Sequence, residues 1–116
     1  MLRLLAVPAF LAVLLPPSVA GMPAASSARA APRSATVTLK DIAFRPARVT
    51  IRRGGSVRFR WDDGRTQHDV TSTGRRRFPR SPTQSHGTYA VRLRTTGTYR
   101  YVCTIHFGMR GTIVVR

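Results

Sequence analysis

From residue 35 to the C-terminus, apolar side chains recur at every second position in short runs separated by Gly, Pro and Asp. Val37 and Leu39 alternate with Thr36, Thr38 and Lys40. Val57, Phe59 and Trp61 alternate with Arg58, Arg60 and Asp62. Tyr89, Val91 and Leu93 follow the same rule, as do Tyr99, Tyr101 and Cys103, and Val49 and Ile51; Ile113 to Val115 closes the chain. A period of two places one set of side chains on one face of a strand and the other set on the opposite face. Short strands with an apolar inner face, an arginine-rich outer face and frequent turns predict an all-β sandwich of antiparallel character. No segment of this part has a helical period.

The N-terminus has a different pattern. Met1-Leu2-Arg3 and the apolar stretch from Leu4 to Leu15 have the form of a secretory signal, and Ser18-Val19-Ala20 offers a small-residue cleavage site. The stretch is short and interrupted by proline, whereas a membrane-spanning helix needs about 20 apolar residues. Residues 1–20 are therefore expected to be a signal peptide, with a retained anchor as the alternative. Residues 21–34, rich in Ala, Ser and Pro, read as a flexible lead-in. Residues 35–116 form one small domain. The mature protein is expected outside the cytoplasm, secreted or periplasmic.

The seven residues Cys103-Thr104-Ile105-His106-Phe107-Gly108-Met109 carry the chemistry. They hold the chain's one cysteine, a histidine three residues on and a methionine three further. Thiolate, imidazole and thioether are soft donors, which select copper, zinc or iron–sulfur over magnesium or calcium. His68, in the β-like segment His68-Asp69-Val70-Thr71-Ser72, is the candidate fourth ligand. Two histidines, a cysteine and a weak axial methionine compose a blue-copper electron-transfer site. Zinc fits less well, because methionine is not among its usual ligands. A lone cysteine in an exported chain has no internal disulfide partner, which leaves an intermolecular bridge, a ligating or reactive thiol, or an inert buried one.

These pieces resemble the cupredoxins of the plastocyanin and amicyanin type. The resemblance rests on Gly97-Thr98-Tyr99-Arg100-Tyr101-Val102-Cys103, on the Cys-x2-His-x2-Met loop, on His68-x-Val70, on Phe44-x-Pro46 and on Gly54-Gly55-Ser56-Val57. It extends from about Ala35 to Arg116. It implies a small antiparallel Greek-key sandwich, one copper ion held by His68, Cys103, His106 and Met109, and single-electron transport between redox proteins without catalysis. Two positions depart from the family pattern. Asp69 stands where the family usually has Asn, and Thr104-Ile105 where it often has Pro. In the family, the residue after the first histidine bridges to the one after the cysteine, and its backbone N–H bonds the sulfur. An Asp69–Thr104 pair would keep the bridge and, if ionised, favour Cu(II). An ordinary solvated acid is the alternative for Asp69. Phe107, beside His106, would lie on the apolar surface through which electrons pass.

Composition adds an electrostatic expectation. The full chain has 20 basic and 4 acidic residues, a formal charge of +16, with no glutamate; all the basic residues but Lys40 are arginines. Such a charge favours anionic partners: an acidic redox protein, an anionic membrane or a cell-wall polyanion. Arg75-Arg76-Arg77 with Arg80 is the densest patch and the expected docking contact. The alternative is a solvated surface biased toward arginine. Aromatics on the inward face argue against a specific nucleic-acid binder. No Ser/His/Asp set or phosphate-cradling glycine loop competes with the metal motif. Copper delivery with the same ligands is the second functional reading. A monomer is expected. His86 reads as an exposed strand-end histidine, Met22 as a bystander in the lead-in, and Trp61 and the tyrosines as core rather than electron relays.

Overall fold

The computed structural model describes residues 4–6, 8–18 and 30–116. Part of the expected cleavage site (Val19-Ala20) and most of the lead-in, Met22 included, lie outside the described residues. The described part of the N-terminal apolar segment carries no regular element. Among the described residues, no helix is long and apolar enough to cross a membrane.

Eight strands follow in order: β1 (Ser34–Lys40), β2 (Ala43–Arg45), β3 (Arg48–Ile51), β4 (Gly55–Trp61), β5 (Thr71–Thr73), β6 (Thr88–Leu93), β7 (Gly97–Val102) and β8 (Arg110–Val115). They form two four-stranded sheets, in the orders β2-β1-β4-β6 and β3-β8-β7-β5. The fold is an all-β sandwich, as the alternation predicts. Both sheets are nevertheless mixed rather than purely antiparallel: β1 runs parallel to β4 and β3 parallel to β8. Side-chain alternation reports which face is buried and is silent on strand direction. The short β2 was not visible as a run of its own. Backbone pairing begins just ahead of β1, where Arg52 N–H donates to Pro32 O and Ser56 N–H to Arg33 O.

Val37, Leu39, Val57, Phe59, Trp61, Val91 and Leu93 of the first sheet meet Val49, Ile51, Tyr99, Tyr101, Ile113 and Val115 of the second, all buried. Tyr101 is the largest fully buried side chain. Phe44 and Phe59 meet its ring edge-on, with centroids 4.7 and 5.2 Å away; such pairs add about 0.5–1.5 kcal/mol each beyond their burial. The close approach explains Gly111, the residue paired with Tyr101 across β7 and β8. A Cβ there would lie 2.3 Å from the Tyr101 ring. The role of Gly111 in the fold is to make room for this tyrosine.

The inward register of Tyr99 and Tyr101 carries Cys103 into the core end of the sandwich, immediately after β7. The outward positions carry arginines on both sheets: Arg58, Arg60 and Arg92 on one, Arg48, Arg100 and Arg110 on the other, all exposed.

Candidate metal centre

The 103–109 loop is closed by its own backbone. Cys103 N–H donates to Met109 O at 3.0 Å, and Met109 N–H to His106 O at 3.2 Å. Gly108 has φ +83°, a conformation that costs glycine little and strains other residues. Cys103 and Met109 are buried at the two ends of the loop, His106 is half-buried, and Ile105 and Phe107 face solvent. The loop lines an open cleft of about 710 Å³.

His68 arrives from outside the regular strands. Its backbone pairs with Gln84 in both directions, and the Trp61 indole N–H donates to its carbonyl at 3.0 Å. Ser81 ties the same segment down: its Oγ accepts the Val70 N–H at 2.7 Å and its own N–H donates to Val70 O. Trp61 thus serves the core, as expected, and also fixes the backbone of a site residue.

Both imidazoles are oriented by their outer nitrogens. His106 Nε2 donates to Gln67 O at 2.9 Å. His68 Nε2 lies 2.7 Å from Asp63 Oδ2, and an ionised carboxylate only accepts. Each ring then keeps its Nδ1 lone pair for a metal. The rings lie 4.7 Å apart at 57°, and His68 Nδ1 is 3.9 Å from Cys103 Sγ. One donor atom from each of His68, Cys103 and His106 falls within 4.8 Å of the others. Donors about 2.0–2.3 Å from a small cation in a plane lie roughly 3.6–3.8 Å apart. Two neutral nitrogens and one sulfur at this spacing fit a single soft-ligand metal ion. Met109 borders the same cleft. His86 lies away from the group, exposed, near the Ser85 hydroxyl.

Burial pushes the Cys103 thiol up, while the backbone N–H groups of Asp69 and Ile105 pull it down and the Asp69 carboxylate pushes it up again. The net effect keeps the thiol protonated in the metal-free protein, so metal binding must displace that proton. The Asp69 N–H is the donor that the resemblance implied.

Asp69 is fully buried, not a solvated loop acid. Burial alone would raise its carboxyl. The Thr104 N–H (2.6 Å) and hydroxyl (2.7 Å) and the Thr71 hydroxyl (2.9 Å) outweigh that and hold it at about 2. The bridge to Thr104 is therefore present. Arg80 completes it, donating from Nε (3.1 Å) and Nη2 (2.8 Å) to Asp69 Oδ2 and from Nη2 to Thr104 Oγ1 (3.3 Å). Arg80 is thus bonded to the site through one edge of its guanidinium while remaining exposed, as Arg75, Arg76 and Arg77 are.

Asp63 was missed. It was not singled out in the sequence, yet it is the partner of the His68 imidazole. Its other partners, the backbone of Asp41 and Ile42, are 22 and 21 residues away in sequence, and no local pattern signals such a contact.

A sandwich that gathers two histidines and a cysteine at one pole defines a class of small β metalloproteins. The family model described as Cupredoxin-like domain matches residues 7–115, and the chain belongs to that family. Among solved structures, a copper-containing nitrite reductase (NirK) from Thermus scotoductus SA-01 is 28% identical with a TM-score of 0.65, over 72% of this chain and 22% of that one. The chain thus spans about a fifth of that enzyme's length. A purple cupredoxin from Nitrosopumilus maritimus is 19% identical with a TM-score of 0.65, over 71% of this chain and 99% of that one. A proline-to-glycine variant of amicyanin in its reduced Cu(I) form is 22% identical with a TM-score of 0.65, over 78% and 89%. The last two likenesses are of fold alone. No curated protein matches the sequence.

Proposed function

We propose that the protein is an exported type 1 copper protein that carries single electrons between redox partners, with His68, Cys103, His106 and Met109 as ligands of one copper ion. The observation that carries this reading is the convergence of His68, Cys103 and His106 donor atoms within 4.8 Å, with both imidazoles turned to offer Nδ1. A copper ion so bound supplies a one-electron couple. The protein's own contribution is to hold the donors still. His68 is locked by Gln84, Trp61 and Asp63, His106 by Gln67, and Cys103 by the end of β7. Donors that do not move keep the reorganisation accompanying transfer small. Met109, buried at the end of the same loop, would add its thioether as the fourth, weak donor.

His106 is the electron port on this reading. It is half-buried, and its neighbours Ile105 and Phe107 are exposed, Phe107 fully. Exposed apolar side chains grouped in one loop mark a contact surface. The positive charge on both sheets favours an acidic partner, with Arg75–Arg77 the exposed cluster nearest to a docking patch. Transfer to an acidic redox protein should then slow as salt rises, whereas transfer to a basic one should not. Equal, flat salt dependence in stopped-flow measurements would remove the arginines from function. The apolar N-terminal segment supports export, and anionic membrane or wall surfaces are further candidate partners.

Cu(II) titration of the purified mature chain, followed by absorption, tests the assignment. One equivalent should produce an intense thiolate-to-Cu(II) band that bleaches on reduction and returns on oxidation. A protein that holds Cu(I) but develops no such reversible colour would be a copper-delivery protein instead.

A further inference from the structure

Asp63 makes three hydrogen bonds through two oxygens. Oδ1 accepts the Asp41 N–H at 3.0 Å, while Oδ2 accepts the Ile42 N–H at 3.0 Å and lies 2.7 Å from His68 Nε2. Asp41 and Ile42 form the tight turn between β1 and β2, and both have φ +52°. Consecutive left-handed residues without glycine are costly, and a β-branched residue is the least suited to that region. Ile42 is half exposed, so packing offsets little of this cost. The antiparallel pairing of Lys40 with Ala43 closes the turn, and the two turn amides converging on one carboxylate brace it. The same carboxylate is the polar partner of a fully buried imidazole.

We propose that Asp63 is the positioning residue of the metal centre, fixing the tautomer of His68 and placing negative charge behind it. The proposal rests on the copper reading for its redox part and on the metal-free geometry for its structural part. A carboxylate behind a ligating histidine fixes the ring, makes the ligand more basic and adds negative charge close to the ion. Each effect favours Cu(II) over Cu(I). His106 has only a neutral carbonyl behind it, so this bias enters through His68. Asparagine cannot take Asp63's place. It has one acceptor oxygen for three donors, and its amide nitrogen would face an N–H or the imidazole Nε2–H.

The test is Asp63→Asn, made in wild type and in an Ile42→Gly background. Glycine removes the strain at position 42, so the double variant folds even if the turn needs the carboxylate. Three readouts are taken: Cu(II) and Cu(I) affinities by competition, the potential by protein-film voltammetry, and the His68 tautomer in metal-free protein by long-range ¹H–¹⁵N spectra. Ile42→Gly alone should leave the potential and tautomer unchanged. Asp63→Asn should weaken Cu(II) binding about 10–100-fold and Cu(I) binding less. Each tenfold difference between the two states raises the potential by about 59 mV. In metal-free protein the variant should lose the single Nε2–H tautomer of His68. Asp63→Glu should recover part of both effects.

An unchanged Cu(II)/Cu(I) affinity ratio with an unchanged tautomer in the folded variant would overturn the proposal. If wild type binds no copper at all, the copper reading fails separately, and the His68 tautomer in metal-free protein still decides whether Asp63 positions that ring.

Discussion

His68 and His106 offer the same atom to the same centre from opposite environments. His68 is wholly buried and backed by a carboxylate, with its backbone held by Gln84 and Trp61. His106 is half-buried and backed by a neutral carbonyl, on a loop that also exposes Ile105 and Phe107. The contrast divides the work. On the proposed reading the inner histidine would tune the site, because charge behind it acts in a dry environment where electrostatics are stronger. The outer one would be the contact for a partner, because it is the one that a protein could reach. A centre built this way can change its potential without changing its contact surface, and the reverse.

The largest expected effect removes what the histidines share. Cys103→Ala should abolish the thiolate-to-copper band completely and reduce the stabilisation by copper, since metal that binds the native state stabilises it by mass action and does so less when bound more weakly. Persistence of the colour in that variant would break the comparison at its root.

Next comes the contrast itself. Replacing each histidine by glycine leaves a hole of the same size in two different places. His106→Gly opens to solvent, so added imidazole should enter and restore the absorption band. His68→Gly opens into the core, so the same concentration should restore little. Equal rescue of both variants, read from titrations of the band, would mean that the inner and outer sites are equally accessible.

A smaller effect concerns how the two halves of the centre are joined. Asp69, next to His68, binds Thr104 of the ligand loop, and its carboxyl lies near 2 instead of its ordinary 3.8. A depressed carboxyl contributes stability that is complete above the unfolded value and is lost as pH falls through the folded one. Metal-free protein should therefore lose ~2 kcal/mol from this group between about pH 4 and pH 2. Asp69→Asn should be less stable at neutral pH and should show a shallower acid slope. Denaturant melts across that window measure both, and identical slopes would mean that the bridge contributes nothing.

The mildest change is at the far end of the loop. Met109→Leu should retain copper and colour while raising the potential, because a weak thioether favours Cu(II). Complete copper loss would make Met109 a primary ligand, and an unaltered voltammogram would remove it from the axial position.

The two histidines also differ in how far the sequence exposes them. His106 lies in a contiguous motif at the end of an alternating strand, where local spacing reports the geometry directly. His68 was reachable as a candidate, but its supports were not. The Asp63 carboxylate reaches it from a loop that also ties down a turn more than twenty residues earlier. Arg80 looked like one more surface arginine because nothing local marks its pairing with Asp69. Strand faces were readable from the alternation, which fixes burial. The parallel pairings of β1 with β4 and β3 with β8 were not, because direction depends on chain crossings between sheets.

X-ray absorption at the copper edge of the loaded wild-type protein tests the central claim most directly. The account predicts two imidazole nitrogens and one short sulfur around a single copper, with the sulfur lost in Cys103→Ala and one imidazole lost in each histidine variant. A copper coordinated only by nitrogen and oxygen, unchanged in those variants, would contradict it.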